Sequence, residues 1–164
     1  MAIWFQGCDI GCEGCCNPEL QPMIVNNVVC LSEILEIAER SKRDYEIEGA
    51  TLIGGEPTLQ ASLDALARGL RSLGLGVILF TGRDFEELEE HLVRELDLVI
   101  DGRYQSDNKD TERNLIGSTN QRIIEVTDRY HDSLDWFLNR RPDYVEIDVK
   151  DGFLISNGNN FRLR

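Results

Sequence analysis

The sequence predicts an α/β fold with a parallel sheet and crossover helices, followed by a C-terminal hairpin. Two observations favour this class: apolar runs of strand length alternate with segments of helical periodicity, and an Asp-Gly pair separates two strand-like runs near the end. The 164 residues fit a single domain, 1–164, long enough to bury a core and too short for a complete eight-stranded barrel.

Three strands and two helices are predicted in the first half of the chain. The strands are the apolar runs at Ala2–Phe5, residues 50–53 and Gly76–Phe80. The first helix covers residues 32–45 and begins with a serine that suits an N-cap, and the second covers residues 58–73. Each helix therefore lies between two strands, as the crossover of a parallel pair requires.

The second half of the chain continues this alternation. Its predicted elements are a helix, two strands, a short helix and a hairpin, at residues 84–96, 98–100, 122–126, 133–139 and 144–156. Asp84 is expected to cap its helix, and the hairpin is expected to turn at Asp151-Gly152. The polar segment 101–120 is long for a compact domain, which favours a lid or binding loop over a spacer.

Polar motifs follow successive predicted strands. A cysteine-rich loop comes after the first strand, a Gly-Gly-Glu turn after the second, Thr81-Gly82 after the third and Asp101-Gly102 after the fourth. Parallel α/β sheets bind ligands beyond the carboxyl ends of their strands. We therefore expect these four segments to meet on one rim of the sheet.

The cysteine loop is the most informative motif. Cys8, Cys12 and Cys15 have the spacing C-x3-C-x2-C. Three thiolates on one short loop can hold three corners of a [4Fe-4S] cube and leave the fourth iron without a protein ligand, which suits a catalytic centre. The interleaved glycines permit tight turns with positive φ and bring N–H groups close to an anionic cluster.

Two further cysteines leave alternatives open. A zinc site or an electron-transfer cluster needs a fourth thiolate, and Cys16 or Cys30 would have to supply it. Cys16 directly follows Cys15, so its side chain is expected to point away from a shared metal. Cys30 precedes a predicted helix and fits core packing. The spacing alone is compatible with an open iron-sulfur loop, a closed metal site or unligated thiols.

The second motif is TLIGGEP, which joins the second strand to the next helix. Gly54 and Gly55 predict a turn where a ligand approaches the backbone, and Pro57 suits the first turn of a helix. A generic strand-to-helix turn would carry the same residues. The position of the motif after the cysteine loop favours a functional role.

Together the two motifs resemble the radical S-adenosylmethionine superfamily, and within it the activating enzymes of glycyl radical enzymes. The pattern C-x3-C-x2-C-x-N includes Asn17 and makes Cys16 a non-ligand by analogy. WFQGCDIGCEGCCNPE and GSTNQRII at residues 117–124 are similar to the activating protein of class III anaerobic ribonucleotide reductase. The leader before Cys8 is shorter than in most relatives, so we expect a compact member or a missing N-terminal segment.

The resemblance implies a fold, two cofactors and a set of site residues. The fold is a partial (β/α) barrel of radical S-adenosylmethionine type. The three loop cysteines would hold a [4Fe-4S] cluster, and the fourth iron would bind S-adenosylmethionine. Gly54, Gly55 and Glu56 would meet the amino group of that cofactor, with Glu56 balancing its charge or bracing the loop.

The remaining cofactor-binding candidates lie at strand ends, in the GSTNQR segment or beside the cysteines, and are Asn17, Thr81, Asp101, Ser118, Asn120 and Arg122. Thr81 and Asp101 are expected to contact the ribose or methionine end of the ligand, or alternatively to cap backbone groups. Asn120 is a candidate for adenosine binding and Arg122 for pairing with a carboxylate. The alternative is a polar turn that fixes the fifth strand.

The composition limits the classes of partner that are expected. A net charge of −13 argues against general nucleic-acid binding, and no apolar run is long enough to span a membrane, so a cytoplasmic protein is expected. The resemblance implies two partners: a glycyl radical enzyme, the large subunit of anaerobic ribonucleotide reductase, and a low-potential electron donor such as flavodoxin or ferredoxin. An acidic donor would need a basic patch, for which Arg40, Lys42 and Arg43 are candidates.

Two rival functions use the same motifs. One is a radical S-adenosylmethionine enzyme that acts on a peptide or a small molecule. The other is a non-catalytic iron-sulfur electron carrier or zinc-stabilised binding module with Cys16 or Cys30 as its fourth ligand.

Overall fold

A five-stranded sheet with the order β1-β2-β3-β4-β5 forms the centre of the molecule. The computed structural model describes residues 1–25, 27–139, 145–150 and 153–158. The strands of the sheet are β1 Ala2–Phe5, β2 Gly49–Gly54, β3 Gly76–Phe80, β4 Leu98–Asp101 and β5 Arg122–Glu125. β1 to β4 are parallel, whereas β5 is antiparallel to β4.

Helices connect the four parallel strands, and a further helix and a separate strand pair follow the sheet. The α-helices in the described residues are α1 Leu31–Tyr45, α2 Leu63–Ser72, α3 Glu90–Val93 and α4 Leu134–Leu138. β6 Val145–Lys150 and β7 Phe153–Gly158 form a two-stranded antiparallel sheet, which confirms the strands of the predicted hairpin. Its predicted turn at Asp151-Gly152 lies outside the described residues. No helix in the described part of the chain has the length and apolar character to cross a membrane.

The mixed α/β class with a mostly parallel sheet is confirmed, but the fifth strand reverses direction. Its connection to β4, residues 102–121, contains no α-helix that could cross the sheet. Instead the chain doubles back, because the Gln121 side-chain amide donates to the Gly102 carbonyl at 3.0 Å and the Asn120 amide donates to the Arg103 carbonyl at 2.8 Å. Within the described residues the sheet stays open, with β1 and β5 at its edges.

Helix boundaries differ from the prediction where side chains hold the backbone in other conformations. The predicted helix 84–96 is a 3-10 turn at Phe85–Glu87 followed by the short α3. The Phe85 N–H donates to the buried carboxylate of Asp101 at 2.7 Å, which ties the first turn to the end of β4. Asp84 does take the N-cap position, but of this 3-10 turn and not of a helix 84–96, and its N–H donates to the Glu87 carboxylate at 2.9 Å.

The first two helices also begin elsewhere than predicted. α1 begins at Leu31, with Cys30 and not Ser32 at the N-cap position. The predicted helix 58–73 opens with a 3-10 turn at Pro57–Leu59, and α2 starts only at Leu63. The side chain of Glu56 accepts from Thr58 within that turn, so the side chain shapes the start of the connection.

The sheet has apolar layers on both faces, because side chains alternate along each strand. Residues such as Leu52, Leu79 and Val99 face α1, α2 and α3 in the larger core. Leu98 and Ile100 point to the opposite face, where Phe137 of α4 and Ile116 cover them. This arrangement leaves the carboxyl ends of β1 to β4 together at one rim.

We expect Leu70→Ala to reduce the free energy of unfolding by about 3 kcal/mol, because it leaves a cavity between α2 and the sheet. Leu70 is fully buried, whereas Leu138 is 48% exposed. Leu138→Ala is the matched control and should cost less than about 1 kcal/mol. Urea denaturation of both variants measures the difference, and equal losses would contradict this core assignment.

Candidate iron-sulfur site

A cavity at the carboxyl ends of β1, β2 and β3 brings together the two sequence motifs. The predicted cluster ligands Cys8, Cys12 and Cys15 line it. The predicted cofactor contacts that also line it are Asn17, Gly54, Gly55, Glu56 and Thr81. The expectation that the four segments meet on one rim is confirmed, because Gly102, directly after β4, lines the cavity as well, although Asp101 itself does not.

The cysteine loop owes its shape to glycines and to two backbone hydrogen bonds. Gly7, Gly11 and Gly14 have φ values of +97°, +62° and +69°, as the interleaved glycines predict. The N–H groups of Gly7 and Cys8 donate to the carbonyls of residues 20 and 21 at 2.9 and 3.0 Å. These bonds close the loop at its base and leave the cysteines at the cavity.

The Gly-Gly-Glu turn is held directly against the start of this loop. The Gly55 N–H donates to the Phe5 carbonyl and the Glu56 N–H to the Gly7 carbonyl, both at 2.8 Å. A Cβ atom on Gly55 would lie 2.2 Å from the Gly7 carbonyl oxygen, and Gly54 has a φ of +129°. Both glycines are thus required by backbone packing, in addition to any contact with a ligand.

Glu56 is completely buried beneath the cavity. One carboxylate oxygen accepts from the Thr58 N–H at 3.1 Å, the Thr58 hydroxyl at 2.7 Å and the Thr81 hydroxyl at 2.8 Å. The other oxygen accepts from the Gly82 N–H at 2.9 Å. Of the two roles that the resemblance implies, these contacts match bracing, because they join the ends of β2 and β3.

Two arginines that belong to no sequence motif contact the cysteine loop from positions just after β3 and β4. Arg83 pairs with Asp9 through two hydrogen bonds of 3.0 and 2.7 Å. These bonds raise the pKa of Arg83. Arg103 donates to the Gly11 carbonyl at 3.2 Å. The loop is therefore attached at its middle as well as at its base.

Four predicted site residues lie away from the cavity lining. Asp101 is buried, accepts from Phe85 and pairs with Arg122. Arg122 also pairs with Glu86 at 2.8 Å. Hydrogen bonds with Asp101 and then Glu86 raise the pKa of Arg122, and the bond with Arg122 lowers that of Glu86. The predicted carboxylate partner of Arg122 is thus found within the protein.

The other two candidates from the GSTNQR segment have structural partners as well. Ser118 is buried, and its hydroxyl accepts from the Gln105 N–H at 3.1 Å. The Asn120 amide donates to the Arg103 carbonyl. Both contacts fix the loop before β5, which agrees with the polar-turn alternative, while adenosine binding by Asn120 stays a prediction.

Several cavity residues were missed in the sequence. Ile53 and Phe80 line it from β2 and β3, and Tyr104 and Gln121 line it from the connection between β4 and β5. The length of that connection predicts a binding loop, and its contribution to the cavity agrees with this. The individual residues were not identifiable, because the loop has no periodic pattern that would show which side chains face inward.

The two additional cysteines differ in their positions. Cys16 is exposed but also lines the cavity, so its place after Cys15 does not keep it away from the site. Partial burial and then the charge of Cys15 raise the pKa of Cys16. The Asn17 N–H donates to the Cys15 sulfur, and its side-chain amide to the Cys16 sulfur, both at 3.4 Å. Cys30 is exposed, so the core-packing interpretation is wrong.

The donor set fits an iron-sulfur cluster, because such clusters are held by cysteine thiolates. Three cysteines line one cavity, with glycine backbone between them. Among the described residues, no group of three His, Cys, Asp or Glu side chains is placed to hold a single metal ion.

The fold and the site define an iron-sulfur protein, and a family comparison agrees. Residues 1–124 match the model of a 4Fe-4S single cluster domain, and the chain belongs to this family, an iron-sulfur domain associated with radical S-adenosylmethionine proteins. A comparison with curated proteins finds no matching relative. The matched range contains every residue that lines the cavity.

We expect Cys12→Ala to lose the cluster and Cys16→Ala to keep it after anaerobic reconstitution, because only the first removes one of the three predicted ligands. Iron and sulfide analysis with Mössbauer spectroscopy measures both variants. Cys30→Ala removes the other thiol that could complete a closed site, and it should also keep the cluster because Cys30 is not among the residues that line the cavity. Loss of iron in Cys16→Ala would instead make Cys16 the fourth ligand of a closed cluster.

Proposed function

We propose that this protein is a radical S-adenosylmethionine enzyme that generates a glycyl radical in a partner protein, the large subunit of an anaerobic ribonucleoside-triphosphate reductase. The bound cluster would supply one electron, which breaks the sulfonium carbon–sulfur bond to give methionine and a 5'-deoxyadenosyl radical. Transfer of an α-hydrogen atom from the partner's glycine then yields 5'-deoxyadenosine and the glycyl radical. The residues of this chain would bind and orient the cofactors and the substrate, whereas the cofactors would supply the chemistry.

One observation carries the proposal: the three cysteines share a cavity with the Gly-Gly-Glu turn. Ile53, Phe80 and Tyr104 add apolar and aromatic surface to the same cavity. Such apolar and aromatic surface suits an organic ligand beside the metal. In the proposal, carbonyl oxygens of the turn accept from the amino group of S-adenosylmethionine, and Glu56 keeps the turn in place.

The fold supports the same interpretation. Four parallel strands with helical connections on one face correspond to part of a (β/α) barrel, and the site lies at their carboxyl ends. We therefore propose that the fold is a partial (β/α) barrel of radical S-adenosylmethionine type.

An exposed apolar segment beside the cysteine loop favours a protein substrate. Its residues share high exposure and lie between the loop and α1: Met23, Ile24, Val25, Val28 and Val29, with exposed fractions of 70%, 59%, 87%, 85% and 44%. The Met23 sulfur lies 3.0 Å from the position that a Cβ atom on Gly7 would take, so the segment adjoins the loop. Clustered exposed apolar residues are typical of protein contacts.

The electron donor is the second proposed partner, a low-potential flavodoxin or ferredoxin. The candidate basic patch is partly engaged within the protein, because Lys42 donates to the Leu73 carbonyl and Arg43 pairs with Asp44 at 2.8 Å. Arg40 has no ion-pair partner among the described residues. An acidic donor would therefore meet less positive charge on α1 than the sequence suggests.

Addition of S-adenosylmethionine to the reduced, reconstituted protein should change the electron paramagnetic resonance spectrum of the cluster, since the ligand would bind the open iron. With dithionite as the reductant, the same sample should then release 5'-deoxyadenosine. The Cys12→Ala variant is the negative control. A spectrum that stays the same at saturating S-adenosylmethionine would refute the enzymatic proposal and leave the electron carrier as the alternative.

Val25→Asp should lower the yield of glycyl radical in a candidate reductase subunit by about tenfold or more, because burying an unpaired charge at an apolar contact is costly. S-adenosylmethionine cleavage without the partner should be unchanged. Leu138→Asp, at an exposed apolar position on α4, is the matched control. A product formed equally well without any protein partner would favour the small-molecule alternative.

A further inference from the structure

We infer that Arg83 is a positioning residue that holds the cysteine loop in its cluster-binding shape through Asp9 and couples that loop to the Gly-Gly-Glu turn. The inference concerns the cluster ligands and does not depend on S-adenosylmethionine. Asp9 directly follows the first predicted ligand, Cys8, and Arg83 lies just beyond the end of β3.

The geometry gives the guanidinium two attachments at once. One amino nitrogen of Arg83 donates to both carboxylate oxygens of Asp9, at 3.0 and 2.7 Å. Its Nε donates to the Thr58 hydroxyl at 2.9 Å, and that hydroxyl donates to Glu56. A continuous chain of hydrogen bonds therefore runs from the cysteine loop to the buried carboxylate under the turn.

The backbone of Arg83 is also held in place by hydrogen bonds. The Arg83 N–H donates to the Thr81 hydroxyl at 3.1 Å, and the Gly102 N–H donates to the Arg83 carbonyl at 3.0 Å. The guanidinium thus extends from a backbone that β3 and β4 hold in position. Lysine has a single terminal nitrogen and cannot reproduce the planar fork that reaches Asp9 and Thr58 together.

This attachment matters because the other hydrogen bonds described from side chains beyond residue 17 to this loop are single bonds to backbone carbonyls, from Arg103 to Gly11 at 3.2 Å and from Gln21 to Cys12 at 3.4 Å. Between residues 9 and 16, its ion pairs within the described chain are limited to Asp9 with Arg83. A glycine-rich loop loses much conformational freedom when it is ordered, and three thiolates brought together repel each other. A contact that orders the loop beforehand lowers this cost when the cluster binds.

The expected effect is moderate. The side chains of Arg83 and Asp9 are 28% and 46% exposed, so solvent screens the pair and its contribution is smaller than that of a buried pair. We expect removal of either group to speed cluster loss by about two- to fivefold, the range for a partly exposed ion pair.

The test uses the full chain with the variants Arg83→Gln, Arg83→Lys, Asp9→Asn and the double variant Arg83→Gln with Asp9→Asn. Two quantities are measured anaerobically: the rate at which a chelator removes iron from the reconstituted protein, and hydrogen exchange of the amides of residues 8–16 before reconstitution. Arg94→Gln is the matched control, because it breaks an exposed pair with Glu90 on α3.

Arg83→Gln and Asp9→Asn should each speed iron loss and amide exchange in the loop, and the double variant should be no worse than either single variant. Arg83→Lys should restore part of the loop protection and Arg94→Gln should have no effect. The inference is overturned if all variants match Arg94→Gln, or if exchange rises equally throughout the sheet. Asp9→Asn provides the decisive measurement if Arg83→Gln does not fold, and failure of S-adenosylmethionine cleavage would leave these results unaffected.

Discussion

A buried carboxylate organises the rim on which the site lies. Burying an ionised carboxylate costs several kcal/mol unless donors replace its water. Glu56 obtains those donors from Thr58, Thr81 and Gly82, which belong to the connections after two adjacent strands. Satisfying this one group therefore fixes both turns relative to each other. Because Thr58 also accepts from Arg83, the same network extends to the cysteine loop.

The parts of the fold that were predictable from the sequence are those set by local pattern. The bounds of β3 match the prediction, and α1 differs by one residue at its start, because continuous apolar or helical periodicity determines both. The direction of β5 and the break in the helix predicted at 84–96 were not predictable. Both depend on contacts between distant residues, such as the bond from Phe85 to Asp101, which periodicity does not contain.

The candidate site likewise has a part that the sequence predicts and a part that it does not. The cysteines and the Gly-Gly-Glu turn are compact motifs at the ends of parallel strands, so their meeting follows from the fold class. Asp101 also ends a strand, but its side chain points to Arg122 and Phe85, a choice that local sequence does not reveal. The pair of Asp9 and Arg83 spans 74 residues, and neither residue stands out in the sequence.

The shape of the cavity bears on whether the cluster serves electron transfer or catalysis. An electron carrier needs its iron ligands and a short path to the surface, whereas an enzyme must also hold a second reactant next to the metal. Ile53, Phe80 and Tyr104 contribute apolar and aromatic surface to the same space as the cysteines. Such surface limits solvent access to a cluster and so affects its reduction potential, and it is also the kind of lining that an organic ligand prefers. Since the family match extends to residue 124, beyond all three residues, this surface belongs to the iron-sulfur domain itself.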